Sequence, residues 1–276
     1  MDEGDLGLMA TSKTAGKQNE AEPADYEARF QQALRRLSIA KPMPPFVQGN
    51  RSAPVRTVGE QELQRMTHQL FDDVEAQCAF YTERLGMDVM WVLEWLKKYW
   101  SAWSGGVNED LVRATVAENC EYKDPLSFGR TMYGVQAFID YNQAFYDAAP
   151  DLAYYLIPGE VSLQVSPKGE VIFMGRYVGC GHWDYPLRMY PFTPGSPAIP
   201  GTGAYIQGYP VDRYHLDPVS HKVVRGETLW DPFELLQIQK LMPSDTSLAF
   251  KAMVKAGRLV TPAIKAARRL PLRDGN

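Results

Sequence analysis

The feature that most limits how this chain can fold is a change of period near residue 150. Before it, apolar residues recur at intervals of three and four; after it, they alternate. "EQELQRMTHQLFDDVEAQCAFYTERLG" spaces Leu63, Met66, Leu70, Val74, Cys78, Tyr81 and Leu85 along one helical face, with Gly86 as its stop. The next helix lies within 88–103, with Asp88 as candidate cap and Val92, Trp95, Leu96, Tyr99 and Trp103 as a wide apolar stripe ended by Gly105 and Gly106. Asn108 can cap a short helix expected to run through Asn119. Phe138, Tyr141, Phe145 and Ala149 share one side of a further helix closed by Pro150. From residue 152, "LAYYLI", "VSLQVS", "EVIFMGRYVGCGHW", "GAYIQGYPVDRYHL" and "KVVRGETLW" read as strands, with turns at "SPKGE" and "DPVSHK". "DPFELLQIQKLM" closes the series as a short helix. Helices first and a mostly antiparallel meander after them make an α+β protein.

Three segments follow from this pattern. Residues 1–58 form an N-terminal extension: 1–24 are polar and read as disordered, a short helix carries Tyr26, Phe30, Ala33, Leu34 and Leu37 on one face, and 41–54 is a Pro-rich linker. Residues 59–243 are the α+β domain with its leading helix, and 244–276 are a basic amphipathic extension. Charge follows the same division. Residues 61–245 hold 24 acids and 14 bases, whereas 246–276 hold 1 acid and 7 bases. An acidic body argues against nucleic acid as partner. The basic tail can lie on an anionic membrane, or fold back on the acidic body or a partner subunit, and Gly257 and Pro262, which interrupt its apolar stripe, favour packing. No stretch is long and apolar enough to span a bilayer, and the acidic N-terminus is unlike a secretory signal. Cys78, Cys120 and Cys180 lie far apart with no CxxC, which points to free thiols in a reducing, cytoplasmic setting, with no metal and no cofactor expected.

One strand carries a residue that does not suit it. In "YPVDRYHL" (209–216), alternation puts Pro210, Asp212, Tyr214 and Leu216 on one face, and strands are depleted in Asp. Either Asp212 faces a cavity where a carboxyl group has work to do, or it is a buried acid paired with Arg176 or Arg225. His215 points to the opposite face, His221 sits in a turn, and His68 lies alone on its helix. The Pro- and Gly-rich segment 184–203 is too long for a hairpin turn and reads as a lid or contact surface.

Several stretches in order resemble the nuclear transport factor 2-like superfamily, and within it the SnoaL-like polyketide cyclases and ketosteroid isomerases. They are "AENCEYKDP" (117–125), "YGVQAFIDYNQAFYDAAPDL" (133–152), "IPGTG" (199–203), "YPVDRYHL" and "KVVRGETLWD". The resemblance implies a cone-shaped curved sheet wrapped by helices around an apolar pocket, for a small hydrophobic carbonyl compound of polyketide or steroid type. It implies carboxylate-assisted proton transfer (isomerisation, cyclisation or dehydration) with Asp124 as base and Asp212 as a neutral acid. Ketosteroid isomerases divide the work in this way: one Asp takes the proton, and a second, kept protonated by an apolar site, donates a hydrogen bond to the developing enolate. Tyr99, Trp103, Phe145, His182, Tyr214, Thr228 and Trp230 are the implied binding residues. The sequence departs from that pattern in three places: Trp100 falls where the isomerases carry a Tyr, with Tyr99 beside it; Thr228 falls where cyclases carry a carboxylate; and His182 is one position out of register. Asp124 can equally be ordinary Asp-Pro turn chemistry. A non-catalytic binding or assembly module of the same fold is the alternative. A homodimer is expected, with Val211, Arg213 and His215 on the outward sheet face.

Overall fold

The computed structural model describes residues 46–48, 51–53, 60–103 and 105–267. The expected disorder of 1–24 and the helix around 26–37 fall outside the described residues. Two short strands, β1 (Phe46–Gln48) and β2 (Arg51–Ala53), pair within the Pro-rich stretch. Next come helices α1 (Glu60–Ala79), α2 (Trp91–Ser101) and α3 (Glu109–Thr115), strands β3 (Val116–Lys123) and β4 (Met132–Tyr133), and helix α4 (Val135–Ala148). The remaining strands are β5 (Ala153–Val165), β6 (Val171–Trp183), β7 (Leu187–Arg188), β8 (Ala198–Ile199), β9 (Ala204–Gly208), β10 (Val211–Leu216) and β11 (Val223–Leu229). Helices α5 (Pro232–Ile238) and α6 (Leu248–Ala267) end the described chain.

The main sheet runs β4-β3-β11-β10-β6-β5, with β9 also paired to β6. Within it only the β11–β3 pair is parallel. This is the α+β fold expected from the sequence, a curved, mostly antiparallel sheet with helices on its inner face. Two irregularities bend it. β5 skips register between Leu156 and Val161, which joins the two expected strands "LAYYLI" and "VSLQVS" into one bent strand. Pro210, which has no N–H to give the ladder, separates β9 from β10, so that one long strand, β6, carries both on the same side. The bend falls beside Tyr177, whose N–H still reaches the Pro210 carbonyl at 3.1 Å.

The predicted stripe of α2 is the inner wall: Val92, Trp95, Leu96, Tyr99 and Trp103 are all buried, against Phe138, Phe173 and Tyr214. Each such side chain contributes about 1.5–3 kcal/mol by leaving water. Two boundaries differ from the sequence expectation. α2 starts at Trp91 with Met90, not Asp88, as its cap, because backbone turns from Val89 and Met90 take the first N–H groups. α3 stops at Thr115 rather than at 119, since Val116, Cys120 and Tyr122 alternate into the core as β3. α1 closes the edge of the sheet. The Gln77 side-chain amide donates to Val161 O at 3.1 Å and accepts from Leu163 N at 2.8 Å, filling the ladder positions that an edge strand leaves open. On the outward face Arg213 pairs with Glu227 at 2.6 Å, and His215 contacts Arg225. In α6 every residue from Lys251 to Gly257 is exposed. No helix among the described residues is long and apolar enough to cross a membrane.

Candidate active site

The cone holds a cavity of about 350 Å³, walled by α2, α4, β6, β10 and β11 and roofed by α5. Strand register decides what points into it. Asp212 lies between Gly175 of β6 and Thr228 of β11, and Tyr214 lies between Phe173 and Gly226. Gly226 is required there. A Cβ on it would come within 2.7 Å of the Tyr214 ring and 2.9 Å of the Tyr122 ring, which lie across it from either side. Glycine thus lets Tyr214 reach Asp212 and Tyr122 reach Thr228 beside it.

Asp212 receives hydrogen bonds from three hydroxyls. Tyr214 donates to Oδ2 at 2.6 Å, Thr228 donates to Oδ1 at 2.6 Å, and Tyr177 reaches Oδ1 at a looser 3.4 Å. Behind them stand further donors. Tyr99 donates to Tyr214 at 2.6 Å, and the Trp103 ring lies edge-on to Tyr99. Tyr122 meets Thr228 in a short contact. With Asp212 ionised, proton counting sets the directions: Thr228 gives its one hydroxyl hydrogen to Asp212, so Tyr122 donates to Thr228. Tyr214 likewise gives its hydrogen to Asp212 and accepts from Tyr99. Two hydroxyl relays therefore converge on one carboxyl group. Its charge balance is a contest: burial pushes the Asp212 pKa up to about 7, with the Asp124 charge in the same direction, against the lowering effect of the donors from Thr228, Tyr214 and Tyr177. Asp212 keeps partial accessibility, and that surface is to the cavity whose wall it forms. Neither arginine offered as its partner is used: Arg176 pairs with Glu160 at 3.1 Å and Arg225 with His215.

Asp124 sits differently. It is 4% exposed and is not among the cavity-lining residues. Its Oδ1 caps the short turn Pro125–Ser127 by accepting from Leu126 N at 2.7 Å. Its Oδ2 accepts from Tyr141 at 2.8 Å and from the Trp230 indole at 2.7 Å. Those two rings line the cavity and stand between Asp124 and the space inside. Burial lifts its pKa to about 6 despite the three donors. The 184–203 segment packs behind this turn and contributes no cavity-lining residue: Tyr190 N donates to Leu126 O at 3.4 Å, and Phe192 lies edge-on to Tyr141.

Of the other residues implied by the sequence, Tyr99, Trp103, Phe145, Tyr214, Thr228 and Trp230 line the cavity. His182 does not. Alternation along β6 turns it away from Tyr177 and Gly179, and it bonds Asp151 at 2.7 Å instead. On α2 it is Tyr99, not Trp100, that joins the hydroxyl relay. Sequence reasoning missed Tyr122, Tyr141 and Tyr177. A signal for each was there: Tyr122 is two residues before Asp124, Tyr141 shares a helix face with Phe145, and Gly175, Tyr177 and Gly179 alternate as small, large, small on one strand face. The three cysteines are buried and their thiols raised to about 11 or 12, chiefly by desolvation, which keeps them protonated. No group of acids, histidines and cysteines among the described residues could hold a metal ion.

No family model and no curated protein matches the sequence. Solved structures do. A candidate SnoaL-like polyketide cyclase from Jannaschia sp. CCS1 is 15% identical, with 55% of this chain and 93% of that one aligned and a TM-score of 0.41. IdmH, a candidate polyketide cyclase from Streptomyces antibioticus, is 12% identical, with 53% and 96% aligned and a TM-score of 0.40. AclR, a candidate hydroxylase from Streptomyces galilaeus, is 12% identical, with 65% and 97% aligned and a TM-score of 0.40.

Proposed function

We propose that the protein is an enzyme that moves a proton on a hydrophobic carbonyl compound, with Asp212 as the base. The observation that carries this reading is a carboxyl group with a pKa of about 7, on the wall of an aromatic cavity, reached by hydroxyl donors alone. A base poised near neutral pH is half ionised there and still strong enough to take a proton. Its hydroxyl donors oppose the cost of burial and keep the carboxylate available near neutral pH. The carboxylate removes a proton from the carbon beside the carbonyl. The Tyr177 hydroxyl, held loosely at 3.4 Å, can turn to the carbonyl oxygen as negative charge gathers there. Burial raises the Tyr177 pKa well above its usual range, so the hydroxyl stays a donor. Returning the proton to another carbon gives isomerisation; bond formation from the enolate gives cyclisation; loss of a β-hydroxyl gives dehydration. Asp124 acts in this scheme as a positioning residue that holds Tyr141 and Trp230 in the wall.

A second reading has its own support. Both carboxyl groups have their oxygens occupied by protein donors, as in a cavity built only to bind. Proton exchange separates the two. Hydrophobic ketones are incubated with the protein in D₂O, and loss of the α-proton signal is followed by NMR. The enzyme reading expects exchange that rises with pH through about 7, and falls about 10²–10⁴-fold in Asp212→Asn, while that variant still binds the ketone. Binding without accelerated exchange by the wild type, across the whole ketone series, would make the protein a binding module.

A further inference from the structure

The cavity does not account for α6. It spans Leu248–Ala267, 20 residues, which is about 30 Å of helix. Ser247 starts it by accepting from Phe250 N at 3.1 Å. At roughly 100° per residue, the positions of Lys251, Lys255, Arg258 and Lys265 share one narrow arc, and Pro262 falls on that same arc. Ala249, Ala252, Met253, Ala256 and Val260 occupy the broad opposite arc. The interruptions that the sequence suggested are absent as breaks, because the helix runs continuously through Gly257 and Pro262. From Thr246 to Arg273 there is no acidic residue.

Both arcs are open. Met253 is 44% exposed and Val260 52%, and Lys251 and Lys255 are exposed as well. A helix resting on its own acidic body would bury the apolar arc and leave the basic one outside, and here the apolar arc is uncovered. A helix meant to stay in water would carry both signs of charge and fewer apolar positions. A wide, weakly hydrophobic arc of small and medium side chains, bordered by lysines and arginines of one sign, matches a surface that is apolar below and anionic above.

We infer that α6 binds the surface of an anionic lipid bilayer, lying in the interface with its lysines among the headgroups. It would hold the acidic body, with its cavity, against a membrane without crossing it. This inference stands independently of the reaction proposed for Asp212.

The test uses the full chain and sucrose-loaded vesicles of phosphatidylcholine, with or without phosphatidylserine, at moderate salt. Co-sedimentation is expected with the anionic vesicles only. Each lysine near an anionic surface strengthens partitioning about fivefold, so the charge reversals in Lys251→Glu/Lys255→Glu should lower it by more than tenfold. Met253→Asp, which places a charge on the apolar arc, should abolish it. Unchanged thermal unfolding of the body in each variant confirms that only α6 has been altered. In the wild type, amide exchange of 248–260 should slow when anionic vesicles are added. Failure to sediment with anionic vesicles overturns the inference, as does equal partitioning of all three proteins. Protection of 248–260 before lipid is added, or a dimer that Met253→Asp dissociates, also overturns it, by showing that the occupant is the body or a second copy.

Discussion

Asp212→Asn gives the most direct reading of the site, because it replaces a titrating group with one of nearly the same shape. Burial holds Asp212 at about 7 in place of an ordinary 3.8. In the window between those two values the folded chain keeps a proton that the unfolded chain has released. The stabilising contribution is therefore complete below the unfolded value and is lost as pH rises through the folded one. From pH 5 to pH 8 the loss amounts to about 2.5 kcal/mol for this one group. Asparagine cannot ionise and carries none of that loss. It brings a fixed penalty instead: its NH₂ needs one of the hydroxyls around it to turn from donor to acceptor, at about 1–3 kcal/mol at every pH. Asp124 is present in both proteins and cancels. Urea denaturation of both proteins at pH 5 and pH 8 gives the comparison. The variant should gain about 2.5 kcal/mol on the wild type between the two, whatever the fixed penalty proves to be. An equal gap at both pH values would mean that Asp212 titrates as an ordinary carboxylate. The same equal gap would follow if the hydroxyl donors outweighed burial, since a group held below its ordinary value is ionised in both states from pH 5 upward.

Two further outcomes follow from the supports around Asp212. Asp124→Ala leaves Leu126 N, the Tyr141 hydroxyl and the Trp230 indole without their acceptor, and should cost about 2–4 kcal/mol in urea denaturation; an unchanged midpoint would mean that all three donors find water. Gly226→Ala puts a methyl group against the Tyr214 and Tyr122 rings. It should cost about 1–3 kcal/mol and loosen the Tyr214 hydrogen bond to Asp212, so that ketone exchange falls as well; full stability and full exchange would show that the rings have slack.

The sequence made the periods legible, and with them the order of helices and strands and the inward face of β10. Alternation alone placed Asp212 beside Tyr214 on the cavity side. It could not show that Gly226 and Gly175 flank them, because cross-strand neighbours depend on register, and register depends on bends at Pro210 and between Leu156 and Val161. The same limit hid the Gln77 amide in the β5 edge, a contact between residues more than 80 positions apart. Asp124 shows where the reasoning from pattern stops. Its backbone is extended, with φ −148 and ψ 152, so the alternation Cys120, Tyr122, Asp124 continues and directs its side chain inward, as the sequence implied. Direction is not access. Two aromatic rings from α4 and the end of β11 occupy the space in front of it and bond to its Oδ2. In front of Asp212 the neighbours are glycine, threonine and tyrosine hydroxyls, which leave room. The difference between a carboxyl group that braces a wall and one that faces a ligand therefore lies in the size of residues brought from other strands, which no local pattern around either aspartate records.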